Sequence, residues 1–208
     1  MENLKTKIEN FNEKYQEDFD EYCLKIVDDD LEESKKLIAG YFANVLHPEL
    51  EKFYAELGGI KTGADFADNF SVTLPTLKTL MVDLSKEGKY NKLVSLGIID
   101  QIMFSWGNDR YEFEEEISVE NRDFLNENYL CFGWYRYDQG YESANYLYVD
   151  KSGKYGEIFY NQDDFGQLWR DFLKPMLTKS SATENLEDML CRIIDKLESG
   201  INEWEEIE

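Results

Sequence analysis

Apolar residues recur along this chain at helical spacing, then in β-rich runs, then at helical spacing again. Leu4, Ile8, Phe11 and Tyr15 repeat at intervals of three and four. So do Leu31, Leu37, Tyr41 and Val45, with Ile38 and Phe42 alongside. Residues 1 to about 57 therefore read as helical. Within them Asp28-Asp29-Asp30 is an expected helix start, since carboxylates cap free amides and favour the positive end of the helix dipole. His47 to Leu57 reads as a separate short helix, with Pro48 suited to its first turn and Gly58-Gly59 as its stop. A polar loop from Lys61 to near Asn69 follows. Leu74-Pro75 then opens a predicted helix carrying Leu77, Leu80, Met81 and Leu84 and ending near Gly88. A further apolar run, Leu93 to Trp106, is interrupted by Gly97 and reads as helix, or as helix followed by strand. The acidic segment Glu112 to Glu116 leads into a short helix near Val119 to Leu125.

The character changes at Tyr129. Tyr129 to Tyr135, Asn145 to Asp150 and Tyr155 to Tyr160 are rich in the aromatic and β-branched residues that suit strands. Lys151-Ser152-Gly153-Lys154 makes the last two a hairpin. Asp163-Asp164 then caps a predicted helix through Trp169, Phe172 and Leu173, stopped before Pro175. After a Ser/Thr break from Thr178 to Thr183, Leu186, Met189, Leu190, Ile193, Ile194 and Leu197 mark an amphipathic C-terminal helix. Helices, then an antiparallel meander over residues 129–160, then helices again define an α+β fold. The expected organisation is an N-terminal helical extension (1–39), an α+β domain (40–177) and a C-terminal amphipathic helix (178–208), packed as one unit.

Charge changes this picture more than size does. The chain carries 44 acidic and 22 basic residues among 208, a formal net charge of −22. Such a field repels phosphates and anionic lipid, so neither direct nucleic-acid binding nor a membrane surface is expected. No stretch approaches the roughly 20 apolar residues of a membrane span. The N-terminal Met1-Glu2-Asn3-Leu4-Lys5 lacks the apolar centre of a signal peptide, and the three cysteines, Cys23, Cys131 and Cys191, have no paired spacing. Both features fit reduced thiols and a cytoplasmic protein.

Catalytic chemistry has few candidates. There is one histidine, His47, set before a proline at a helix start, and a local structural role is the expectation for it. One histidine and scattered cysteines make no zinc site, and no GxSxG elbow, P-loop, GxGxxG or EF-hand spacing is present. Glu112, Glu114, Glu115 and Glu116, or Asp163 and Asp164, offer carboxylate pairs, but adjacent pairs arise by chance in so acidic a chain. The expectation is a non-enzymatic protein with no cofactor and no metal.

Aromatic residues are the more distinctive signal. Phe132, Trp134, Tyr135, Tyr137, Tyr141, Tyr146 and Tyr148 crowd two neighbouring strands, and alternation sends some inward and the rest outward. Asp138, Gln139, Glu142 and Asp150 would ring the outward ones with acceptors suited to arginine or lysine. Tyrosine and tryptophan serve well as interface anchors. The expected partner is therefore a basic protein. Its contacts are expected at Trp134, Tyr135, Asp138 and Glu142, with Glu112, Glu114, Glu115 and Glu116 as an electrostatic rim.

Pro48-Glu49-Leu50-Glu51-Lys52-Phe53-Tyr54, ending in Leu57-Gly58-Gly59, resembles the opening motif of the SMI1/KNR4 (SUKH) superfamily. Phe132-Gly133, then Tyr146 to Asp150, Gly153 and Ile158-Phe159-Tyr160 are similar to that family's later strands. The resemblance spans roughly residues 40–176, with the segment from Phe66 to Phe124 more helical than the family pattern. It implies an α+β domain without catalytic residues and, in bacteria, an immunity protein that neutralises a toxin, often a nuclease. The fungal branch is associated with cell-wall regulation. Two other readings stand beside it: a regulatory or scaffold subunit that assembles through its terminal helices, and a carboxylate-based hydrolase.

Overall fold

Three long strands form where the β-rich runs predict them: β4 (Tyr129–Arg136), β5 (Ser143–Asp150) and β6 (Tyr155–Asn161). They belong to a computed structural model that describes residues 1–16, 23–27, 32, 47–62, 70–76, 79, 96–106, 110–137, 142–162 and 164–205. The β5–β6 turn is built from its own side chains. The Asp150 carboxylate accepts hydrogen bonds from the Ser152 amide at 2.8 Å and the Lys154 amide at 3.1 Å. Gly153 turns the chain at φ 79°, a conformation side chains disfavour. A methyl group there would also lie 1.7 Å from His47 Nε2.

The meander is longer than its sequence signature. Three short strands, β1 (Leu24–Ile26), β2 (Ile60–Thr62) and β3 (Ser71–Leu74), extend it to six strands in the order β1-β2-β3-β4-β5-β6, each pair antiparallel. Three sequence expectations are corrected here. Leu24 to Ile26 is strand inside a stretch that reads as helical, Lys61 is strand and not loop, and Leu74 ends a strand where a helix start is predicted. Such short segments take their conformation from pairing, not from periodicity. Pro75 follows β3 directly, and its missing N–H suits a strand end. On the outer edge of β1, the Asn12 side-chain amide bonds both the Leu24 N–H (2.7 Å) and the Leu24 carbonyl (2.9 Å).

Helices cover both faces of the sheet. On the first face lie α1 (Glu2–Lys14), α2 (Pro48–Leu57) and α7 (Leu186–Glu205). Their Leu4, Ile8, Phe53, Leu57, Leu190 and Ile193 join Leu130, Phe132, Tyr135, Leu147 and Tyr155 in one apolar cluster. On the second face lie α3 (Ile98–Ser105), α4 (Arg110–Glu116), α5 (Val119–Asn128) and α6. α6 runs Phe165–Leu168, widens into one π-helical turn over Trp169–Leu173 and closes over Lys174–Met176. Ile102, Phe113, Leu125, Phe165 and Leu173 pack there against Tyr129, Cys131, Tyr146, Tyr148, Ile158 and Tyr160. The result is an α+β sandwich with the antiparallel sheet as its middle layer.

Several helix boundaries follow their predicted signals, and two do not. Pro48 opens α2, and Gly58, at φ 67°, closes it. Asp164 caps α6 by accepting from the Gln167 amide at 3.1 Å. α6 does not stop before Pro175: the proline lies in its closing segment, directly after the π-helical turn. In the run from Leu93, Gly97 bridges to Leu130 and α3 begins at Ile98. The predicted start at Asp28 to Asp30, the repeat from Leu31 to Val45, the polar stretch after Thr62 and the helix from Leu77 to Gly88 lie outside the described residues.

Candidate interaction surface

The aromatic residues singled out on β4 do not share a face. A bulge between Cys131 and Gly133 inserts one residue against β5 and breaks strict alternation. Leu130, Phe132 and Tyr135 then point to the first face, while Tyr129, Cys131 and Trp134 point to the second. Tyr135 is completely buried. It belongs to the interior, so the candidate surface is built without it. Trp134 is half-buried against Tyr146, with ring centroids 6.4 Å apart. Tyr146 and Tyr148 are buried as well. Most of these aromatics are thus core and sheet packing, and Tyr137, 38% exposed, is the outward-facing one among the described residues, because α3–α6 cover the side that alternation alone would leave to solvent.

Tyr135 instead anchors a polar strap between the sheet and α7. Its hydroxyl donates to Glu157 Oε2 at 2.9 Å and accepts from Lys196 Nζ at 2.9 Å. Arg192 Nη2 reaches Glu157 Oε2 at 3.2 Å and Glu184 Oε1 at 2.8 Å. Burial opposes ionisation of Glu157, but the Tyr135 hydrogen bond and the charges of Arg192 and Lys196 outweigh it. They hold the carboxyl below its ordinary range. Burial and the Glu157 charge push the Tyr135 phenol up. The first face also pairs its helices by charge, through Lys5–Glu56 at 2.8 Å, Lys7–Asp195 at 2.5 Å and Lys14–Glu198 at 2.8 Å.

The second face is aromatic and largely uncharged inside. Phe113 meets Phe165 at 4.9 Å and Tyr160 at 5.8 Å, edge to face, and the Tyr129 hydroxyl donates to the Met176 carbonyl at 2.7 Å. Burial pushes the Cys131 thiol up to about 12, which makes it a packing residue and not a nucleophile.

Outside that layer the surface reverses character. α4 turns Phe113 inward and leaves Glu114, Glu115 and Glu116 exposed, with Glu112 half-buried beside them. α5 buries Leu125 alone. Residues 110–128 hold seven acidic side chains (Glu112, Glu114, Glu115, Glu116, Glu120, Asp123 and Glu127) and two basic ones, Arg110 and Arg122, so 2 − 7 = −5. Ser118 caps α5 by accepting from the Asn121 amide at 3.3 Å, and Glu120 is held below its ordinary range by its own backbone amide and by Ser118. Glu142, exposed at the start of β5, lies apart from this group in the chain, and its carbonyl accepts from the Gln162 amide at 2.7 Å. Asp138, Tyr141 and Asp163 lie outside the described residues.

The sequence reading missed the apolar members of this surface. Tyr111 is 58% exposed, Val119 57%, Phe104 45% and Phe124 40%, and all four stand on α3, α4 or α5. Phe124 adjoins Leu125 in a polar helix, and nothing local says which of the two faces inward, since adjacent pairs such as Ile98 and Ile99 are both buried.

Comparison with family models, curated proteins and solved structures returns no match. Among the described residues no three His, Cys, Asp or Glu side chains are grouped to hold a metal, and no helix is long and apolar enough to cross a membrane.

Proposed function

We propose that this protein is a non-enzymatic binding module for a basic protein, of the SMI1/KNR4-like immunity type, which neutralises a nuclease-type toxin in the cytoplasm. The observation that carries the reading is the acidic excess of α4 and α5: residues 110–128 carry seven acidic residues and two basic ones, with Glu114, Glu115, Glu116, Glu120, Asp123 and Glu127 exposed. Acidic side chains can stand in for the phosphates a nuclease seeks, and they speed encounter with a cationic surface.

Two observations weigh against the other readings. A scaffold assembling through its terminal helices needs their apolar stripes, yet Leu4, Ile8 and Phe11 of α1 and Leu190, Ile193 and Leu197 of α7 are consumed in the core. A carboxylate hydrolase needs one acid with a raised pKa. Among the described residues, the carboxyl groups that depart from their ordinary range, Glu56, Glu120, Asp150, Glu157, Asp171 and Glu187, all do so downwards.

Electrostatic steering makes a direct prediction. The partner isolated from the source organism has an excess of Lys and Arg, and its association rate falls about tenfold or more between low salt and ~0.5 M salt. Stopped-flow mixing measures it. A neutral or acidic partner, or an on-rate indifferent to salt, refutes the reading.

A further inference from the structure

We propose that the outer surface of α4 and α5, centred on Tyr111, Val119 and Phe124, is the docking face, and that arginine side chains of the partner fill it. This assignment rests on the protein-binding reading and narrows it to one surface and one chemistry.

Apolar exposure is the first argument. The described residues include six large hydrophobic side chains that are exposed, and four of them (Phe104, Tyr111, Val119 and Phe124) fall on α3–α5. The fold does not require them, because Phe113, Ile102 and Leu125 already supply the inward contacts of these helices. α3 packs against both α4 and α5, and only Ile117 and Ser118 separate α4 from α5, so the four residues stand on one connected helical layer. Exposed apolar side chains concentrated on one helical layer of a charged surface mark an interaction site better than ones spread over the whole molecule do.

The second argument is an acceptor that lacks a donor. The Tyr111 hydroxyl donates to Glu112 Oε1 at 3.1 Å, which fixes that carboxylate beside the exposed ring. Glu112 Oε2 is shielded from solvent and has no hydrogen-bond partner among the described residues. A shielded carboxylate oxygen with no donor is costly, and a rotation of the Glu112 side chain toward a partner's cationic donor would relieve that cost.

The occupant follows from charge and shape. A second copy of this chain, a nucleic acid or an anionic membrane would each set negative against negative. A basic protein complements the surface. Arginine suits it better than lysine, because a guanidinium stacks flat on tyrosine and phenylalanine rings while donating two parallel hydrogen bonds to a carboxylate.

A nona-arginine peptide serves as the probe, with nona-lysine for comparison, added to the full chain at low salt. Hydrogen-exchange protection is expected in α4 and α5, and nona-lysine is expected to bind about fivefold more weakly. The double substitution Tyr111→Ser/Phe124→Ser should weaken nona-arginine about tenfold. Ile26→Ser, at an exposed apolar residue on β1, should leave it unchanged. Unaltered far-UV circular dichroism and denaturation midpoint show that the double variant is folded; if it is not, Glu114→Gln/Glu115→Gln/Glu116→Gln replaces it with the same expectation. Equal affinity for wild type and the folded variant, or equal loss in Ile26→Ser, overturns the assignment. The natural partner separates the two levels. If wild type captures no basic protein, the functional reading fails. If it captures one that binds the double variant as well as wild type, only the docking face fails.

Discussion

The two faces of the sheet are covered by different means. On the first, two long helices and a short one bring aliphatic stripes onto the strands and are tied down by charge. The strap of Tyr135, Glu157, Arg192, Lys196 and Glu184 runs from strand to helix, and ion pairs join α1 to α2 and α7. On the second, shorter helices each bury one to four side chains against a wall of tyrosines, and polar joins are made hydroxyl by hydroxyl: Tyr129 to the Met176 carbonyl, Tyr148 with Ser181 at 2.7 Å. A long amphipathic helix uses its whole stripe internally. A short helix holding one anchor, as α4 holds Phe113, leaves most of its surface to do something else. The stripes of the first face are therefore committed to the fold, and the outer side of the second is left exposed.

The largest expected effect tests whether the second face is a true core. Phe113→Ala should cost about 3–5 kcal/mol and Ile193→Ala, on the first face, about 2–5 kcal/mol, both read from urea denaturation. A cost below about 1 kcal/mol for Phe113→Ala would remove the second face from the core and end the comparison. Next comes the turn that fits against His47 at the start of α2. Gly153→Ala should cost about 1–3 kcal/mol from the positive φ alone, with a further loss from the His47 collision that His47→Ala in the same background restores. If the double variant is no more stable than Gly153→Ala, the contact with His47 is not what makes the site tight.

Glu157 sharpens the comparison through pH. Glu157→Gln should cost about 1–3 kcal/mol near neutrality, because it strips a charged acceptor from Arg192, Lys196 and Tyr135. The folded pKa lies below the ordinary value of 4.5, so this stabilisation is complete above that pH and is lost as pH falls through the folded value. The gap between wild type and Glu157→Gln in chemical denaturation should hold steady above pH 4.5 and narrow as pH falls below it. A gap that stays constant would show that the strap does not act through charge. The smallest effect belongs to the exposed side: Tyr111→Ser should change stability by no more than about 0.5 kcal/mol. A larger loss would make Tyr111 part of the fold.

Much of the architecture is legible along the chain because its signals are local. Proline and glycine bracket α2, Asp164 caps α6, and the β5–β6 hairpin carries the one glycine that tolerates its turn. The acidic excess of Glu112 to Glu116 can be read directly, and the structure leaves three of its four carboxylates exposed. Strands of three or four residues are a different matter. Leu24-Lys25-Ile26 and Ile60-Lys61-Thr62 are too short to show a period, and what makes them strands is pairing with each other, at sequence separations of 34 or more, and of the second with β3.

What the sequence determined by itself is therefore the α+β class, the three long strands, most helix ends in the described residues and the sign of the surface. What only the tertiary structure decided is direction. Trp134 and Tyr135 are neighbours of similar chemistry, and nothing local says which faces where. The bulge at Phe132 sends Tyr135 to the first face and Trp134 to the second, and the helices on each side decide that neither meets the solvent fully. Burial is a property of what packs against a residue, and that partner lies elsewhere in the chain.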